Sequence, residues 1–441
     1  MALAKQEKLG RAARALAEIL ARKSGGQLSF LLWTEDLVSV PSADGKPPFQ
    51  ISIRSAAAMR ELMLRPNVET AARLYALGEF DFGDVHPRAL IDRVDHTKFA
   101  KGFGWGERLK TFAAALPILT GGGKLADGMA FEGQQGHVAG KDRDDQSLIH
   151  FHYDLSNRFY ELFLDSHMAY SAAYYERDDM SLEDAQTAKL DLICRKLRLA
   201  PGLKLFDTGC GWGSLICYAA KNYGVIAHGV TLAKEQYDYA TERIAKMGLQ
   251  SQVTIEMREC RMVTTPEAYD RIAQIGMFEH VGLDNHDAFF RQMHRLLKPR
   301  GLYLHQATTR RPTLDVAKFR RTNVYQNLSK RYIFPGGELD YIGMTVTNLE
   351  RLGFEVHDVE NMREHYQKTC GAWADRLWDN RAEAEKEVGK ARTRMWLAYL
   401  AGSEMAFKRL NLNDFQTLAS KRRRGDSGLP GGRQWMYGNK T

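Results

Sequence analysis

Apolar positions recur at helical spacing at the start of the chain, where Leu9, Ala13, Leu16 and Leu20 make one stripe. The run SFLLWTEDLVSV that follows reads as a strand, and SAAAMRELML and VETAARLYALGEF read as two further helices. This mixed segment, residues 1–120, carries no catalytic motif and predicts an N-terminal α+β accessory domain. Residues 121–147 are rich in glycine and charge and poor in large apolar side chains, which suits a flexible linker; an ordered loop closing over a site is the alternative. From residue 148 the pattern changes. Short apolar runs (KLFD at 204–207, then VIAHGVTL, VTIEM, DRIAQIG and GLYLHQAT) alternate with amphipathic stretches. Tyr237, Ala240, Ile244 and Met247 form one helical stripe, stopped by Gly248. Phe289, Phe290, Met293, Leu296 and Leu297 form another, stopped near Pro299. Such alternation predicts an α/β fold with a doubly wound parallel sheet over 148–422, and ligands at the strand ends. The basic, glycine-rich tail, 423–441, is expected to be mobile.

Composition narrows the classes. At 441 residues the chain is too long for one average domain, and 44% hydrophobic with 26% charged residues fits a globular protein with a sizeable core. A net charge of +8 favours an anionic partner, nucleic acid or a lipid surface, although an ordinary basic cytosolic protein has the same balance. The five cysteines (Cys194, Cys210, Cys217, Cys260, Cys370) form no C-x-x-C pair. Their odd number and spacing suit reduced thiols in a cytoplasm and argue against a disulfide framework or a zinc site. No secretory signal and no run of about 18 apolar residues stands out, so contact with a membrane is expected to be peripheral, from its inner face.

The stretch KLFDTGCGWGSLI, 204–216, carries the chemistry. A strand ends in Asp207, glycines follow at Gly209, Gly211 and Gly213, and a helix opens behind them. Glycine permits positive φ and lets backbone approach a ligand with no Cβ between, while the helix N-terminus offers free N–H groups to an anion. A dinucleotide would prefer G-x-G-x-x-G with an acid ending the second strand; that strand instead ends in Thr231.

Together LFDTGCGWGSL, GVTLAKEQ, IGMFEHVG and HYDLSNRFYELFLD resemble the cyclopropane-fatty-acid synthases and mycolic acid cyclopropane synthases, over about residues 149–422. The resemblance implies a Rossmann-like class I methyltransferase domain that uses S-adenosylmethionine. It places Tyr170 and Ser171 beside the methionine moiety and Leu205, Asp207, Gly209, Cys210, Gly211, Trp212 and Gly213 in the glycine loop. Thr231, Leu232 and Gln236 fall where the family meets ribose and adenosine, and Glu259 and Cys260 on the adenine side, where the match is poor.

By the same resemblance, the methyl acceptor is a cis double bond in an unsaturated phospholipid acyl chain. An alkene is a feeble nucleophile, so near-attack geometry has to supply several kcal/mol of the barrier. Attack leaves a carbocation, which aromatic faces stabilise by about 0.5–2 kcal/mol each. Tyr170, Tyr174, Tyr175, Phe278 and Trp373 are candidates, with simple packing the alternative. Water has to be excluded or the cation becomes an alcohol. The family's base is a bound bicarbonate, and its holders map to Glu279, His305 and Tyr366, with His280 orienting the pair. Glu279 beside an anion requires a shared proton and a raised carboxyl pKa. Two positions depart from the family pattern: Ala172 replaces a cysteine and Ala307 an isoleucine. They bear on the product, since loss of a proton from the added methyl closes a cyclopropane, whereas a different fate of the same cation leaves a methylene or methyl-branched chain.

Other features are less specific. His150 and His152 have metal-ligand spacing but no further ligand nearby, so no metal is expected; His152, Tyr153, Asp154 and Asn157 read as a lid or substrate gate. Arg11, Arg14, Arg22 and Lys23 make a basic face that would bind anionic headgroups, unless the helix simply packs on its own core or in a homodimer. A nucleic-acid methyltransferase would rest on charge alone, without the aromatic-interleaved basic patch such binding uses, so no nucleic-acid partner is expected.

Overall fold

The computed structural model describes residues 2–42, 45–93, 105–125, 155–313, 315, 319–320 and 324–438. His150, His152, Tyr153 and Asp154, and most of the expected linker, lie outside the described residues. The chain forms two compact units: Met1–Glu132 with Thr322–Leu328 and Leu377–Gly402, and Gly133–Arg321 with Ser329–Arg376 and Ser403–Thr441. The contiguous blocks expected from sequence therefore differ from the observed division, because Leu377–Gly402 clusters with the N-terminal residues.

In the first unit the helix Ala2–Lys23 turns its stripe inward, burying Ala13, Leu16 and Ala17. It packs on the helix Trp105–Gly121 and on a four-stranded sheet of β1 (Leu28–Leu32), β2 (Leu37–Val38), β3 (Phe49–Ile53) and β4 (Phe80–Asp81), in the order β2-β1-β3-β4. The run expected as one strand is a hairpin. Glu35, at φ 65°, reverses the chain, and Leu32 N–H donates to Asp36 O at 3.0 Å. Ser55 and Asn67 cap the next two helices, Ala56–Leu64 and Val68–Ala76, by accepting from Ala58 N–H and Thr70 N–H.

The second unit is built on seven strands: β5 (Lys204–Asp207), β6 (Ile226–Thr231), β7 (Val253–Met257), β8 (Tyr269–Ile275), β9 (Leu297–Arg310), β10 (Phe354–Asn361) and β11 (Leu412–Lys421). Their order is β10-β11-β9-β8-β5-β6-β7; the five from β9 to β7 run parallel, and β11 is antiparallel to both of its neighbours. The chain leaves β5 towards β6 and β7, then crosses back to β8 on the other side, so the strand order reverses at β5, where such sheets place ligands. Leu205 and Phe206 face opposite cores, one packed by helices Leu182–Lys196 and Ser214–Tyr223, the other by His286–Leu296.

The expected mobile tail is instead docked through residue 438. Met436 is buried in the sheet's core, Trp435 and Leu429 pack against it, and Arg195 donates to Met436 O at 2.5 Å. Arg433 meets the buried Asp358 at 3.2 Å. These few apolar residues among many basic ones are what composition obscures.

Candidate active site

The glycine loop hangs between the ends of three parallel strands. Cys210 N–H donates to Val230 O (2.9 Å) and Thr208 N–H to Ala273 O (3.1 Å), so β6 and β8 both hold it. A Cβ at Gly209 would lie 2.8 Å from the Met277 side chain, and one at Gly229 would strike Cys210. Gly211, at φ 52°, would point a Cβ into open space. Gly213, at φ 81°, begins the helix Ser214–Tyr223 and brings it close to Ala240.

The cleft in front of this loop encloses about 1130 Å³, counting the part open to solvent. Its floor is the loop from Asp207 to Trp212. Tyr170 and Ser171 form one wall, Thr231, Leu232 and Gln236 a second, and Glu259 and Cys260 a third. His280 lines it too. Leu205 does not: it is wholly buried in the core behind the loop. Gly213 is likewise outside the lining and serves helix packing. Trp212 is fixed by donating Nε1–H to Asn157 Oδ1 at 2.7 Å, and Asn157 donates in turn to Glu235 O, so this expected gate residue is an anchor of the loop. Thr231 donates its hydroxyl to Gln236 Oε1 at 2.8 Å, and Glu259 pairs with Arg261.

Sequence reading missed the cleft's buried cation. Lys189 is 2% exposed, lines the cleft and donates to Ser171 Oγ at 3.0 Å. Burial pulls its pKa down to about 8, opposed by Asp165, Asp207 and Asp414. Gln186, one turn earlier, donates to Ala169 O and Ser171 O, so the helix Leu182–Lys196 holds the Tyr170–Ser171 segment with buried polar groups. Burial pushes Asp207 up to about 7, against the pull of Gly209 N–H and Lys189. Thr208 Oγ1 lines the same cleft, buried and without a hydrogen-bond partner. The unsatisfied Thr208 hydroxyl, the polar lining and the glycines at 209 and 211 fit a ligand such as S-adenosylmethionine, which carries both an ammonium and a carboxylate.

Behind the cleft wall lies a second polar group. Glu279, in the short helix Phe278–His280, accepts Thr308 N–H at 2.8 Å through Oε1, while its buried Oε2 has no hydrogen-bond partner. Burial raises its pKa. His305 sits on the opposite face of β9 from Thr308, among Phe278, Phe290 and Tyr303. Its Nδ1 is 3.0 Å from Tyr303 Oη, and its buried Nε2 has no hydrogen-bond partner. Burial, with a smaller effect from His286, pushes its imidazole down to about 3. Tyr366 stacks on Phe407 with centroids 4.6 Å apart and meets Trp373 edge-on at 6.0 Å. Glu279, His305 and Tyr366 all lie outside the lining of the cofactor cleft.

An aromatic wall links these parts. Trp373 lies 5.2 Å from Tyr170, Tyr170 stacks 6.3 Å from Phe334, and Phe334 is 5.4 Å from His280. Of the aromatic candidates, Tyr170 and Trp373 belong to this wall. Phe278 packs on His286 in the core, Tyr174 stacks on His365, and Tyr175 faces Lys368. Ala172 and Ala307 are both buried.

A doubly wound sheet with a glycine-floored cleft at its switch point defines a Rossmann-like methyltransferase. Residues 140–417 match the mycolic acid cyclopropane synthetase family, and the chain belongs to this family of S-adenosylmethionine-dependent enzymes. It is 37% identical over 296 residues to a probable fatty acid methyltransferase of Pseudomonas putida, covering 67% of this chain and 74% of that protein. It is 32% identical over 396 residues to a probable fatty acid methyltransferase of Mycobacterium tuberculosis, covering 86% and 89%. Among solved structures it resembles cyclopropane synthase MmaA2 of M. tuberculosis (31% identity, TM-score 0.59, 65% of this chain and 99% of that one). It also resembles the mycolic acid cyclopropane synthase CmaA1 in complex with SAH and CTAB (34%, TM-score 0.58, 63% and 98%).

Proposed function

We propose that this enzyme methylates a cis double bond in an unsaturated phospholipid acyl chain. The observation that carries this reading is the aromatic wall of Tyr170, Trp373 and Phe334, continuous with the cofactor cleft through Tyr170 and His280. S-adenosylmethionine, when bound, supplies an electrophilic methyl on a sulfonium. Tyr170 and Ser171, steadied by Lys189 and Gln186, hold that end of the cleft, and Gln236 with Thr231 the nucleoside end. The wall excludes water and offers π-faces to the carbocation left on the chain. CmaA1 has been solved in complex with SAH and CTAB, a long-chain alkyl cation.

The proton that leaves is taken by a bicarbonate held by Glu279, His305 and Tyr366. The buried Glu279 Oε2 and His305 Nε2 suit it, because hydrogen carbonate both donates and accepts. A protonated Glu279 faces it without repulsion, as burial favours. The exposed basic residues Arg11, Arg14 and Arg22 bring the enzyme to anionic headgroups at the membrane's inner face. A second reading is a methylene- or methyl-branched product from the same cation, in keeping with two relatives named only as probable fatty acid methyltransferases. Mass spectrometry of lipids from cells expressing the chain tests both: unsaturated acyl chains gain one carbon, and fragmentation separates ring from branch. Lipids unchanged in mass would refute the reading.

A further inference from the structure

The second unit contains a buried chain of polar groups that methyl transfer itself does not use. It begins at Glu279. Thr308 donates its N–H to Glu279 Oε1 at 2.8 Å, which sets the Thr308 hydroxyl beside the same carboxyl. The same hydroxyl reaches Asp414 Oδ1 at 3.4 Å. Asp414 is 2% exposed, and its other oxygen accepts Gln306 Nε2 at 2.8 Å. Gln416 donates to Gln306 at 3.0 Å, and Lys196 donates to Gln416 at 3.0 Å. All of these side chains but Glu279 and Lys196 lie on β9 and β11, whose register pairs Thr308 with Asp414 and Gln306 with Gln416.

Two buried carboxyls held by one residue, Glu279 through the Thr308 N–H and Asp414 through its hydroxyl, are poorly placed to be charged together. We propose that Glu279 and Asp414 share one proton through the Thr308 hydroxyl, with Asp414 the positioning residue that keeps Glu279 protonated. The movement balances: Glu279 passes its proton to Thr308 Oγ1 as the hydroxyl's own proton goes to Asp414, and the reverse restores it. No other group changes charge. Among the described residues, the titratable or charged groups facing the pair are Lys189 from the helix Leu182–Lys196, Cys370 from the helix Arg363–Asp379, and Asp340 ahead of the helix Ile342–Arg351. Glu338 N–H donates to Glu279 O, and His280 adjoins it on its own turn. Burial, with the Glu279 charge second, pushes Asp414 up to about 7, so the pair resists carrying two charges near neutral pH. Gln306 fixes the Asp414 carboxyl and leaves only the Thr308 side for exchange.

The inference rests on the proposed need for a protonated Glu279 beside bicarbonate, but its test does not depend on turnover. Infrared difference spectra of the purified full chain, taken across pH, follow the carbonyl band of protonated carboxyls. Wild type should show two coupled steps. E279Q and D414N should each leave one step, lower than the wild-type upper step by about one pH unit, roughly a tenfold shift in the proton equilibrium. In turnover, D414N should move the alkaline limb of kcat down by a similar amount and leave KM for S-adenosylmethionine unchanged, with D414E restoring the limb. Should D414N not fold, T308V keeps both acids, breaks the bridge and should bring the two steps closer together, whereas T308S should not. A remaining carboxyl that titrates in E279Q and D414N as it does in wild type overturns the sharing. If wild type transfers no methyl to unsaturated lipid, the functional reading fails while the infrared steps still decide the coupling.

Discussion

At Gly209 the loop leaves no space for a side chain, since a Cβ would sit 2.8 Å from Met277 in the cleft wall. G209A should therefore push Met277 into the cleft and weaken S-adenosylmethionine binding about tenfold, close to 1.4 kcal/mol, as read by calorimetric titration. E279Q should behave differently, retaining that binding while losing nearly all turnover, because the residue lies outside the cofactor cleft. His305 makes a prediction in pH. Its folded pKa of about 3 lies below the usual 6.5, so the fold favours the neutral ring. Its contribution is full above 6.5 and is lost as pH falls towards 3. Wild type should accordingly lose more stability than H305Q between these limits, measured by denaturant midpoints. The acids are harder to read from sequence. Asp414 and Lys189 stand among alternating or helical neighbours as polar residues would on a solvated face, and only the packing reveals that both are buried.

At the scale of elements, the strand–helix alternation was legible because each parallel strand is a short apolar run closed by a turn. The loop from Asp207 to Gly213 was legible for the same reason: positive φ at Gly211 and Gly213 restricts residue choice enough to leave a motif. Leu205, which belongs to that motif, is a core residue; a motif records neighbours of the ligand and supports of the loop alike. The tail was not legible, because its anchors are single side chains: Met436 in the core, Tyr437 donating to Asp358 at 3.4 Å, and Arg433 beside that carboxylate. M436A should lower stability by about 2–5 kcal/mol, the range for emptying a buried methionine site, with the loss visible in chemical unfolding. An unchanged midpoint would mean that the tail does not pack on the helix Leu182–Lys196.

Across the whole molecule, the family match covers most of the unit that carries the cleft together with Thr322–Leu328 and Leu377–Gly402 of the first unit, which has its own sheet and core. The N-terminal stripe of Ala13 and Leu16 is spent on that core, so membrane contact by the helix Ala2–Lys23 would come through its exposed arginines. No helix among the described residues is long and apolar enough to cross a bilayer. The central claim joins one cleft to one lipid reaction. It is tested most directly by incubating the purified chain with S-adenosylmethionine bearing a fully deuterated methyl, on vesicles of unsaturated or saturated phospholipid. The account predicts label in the unsaturated acyl chains only, with two deuterons retained if a ring closes and three if a methyl branch remains. Bound cofactor with no deuterium in the unsaturated lipid would contradict it.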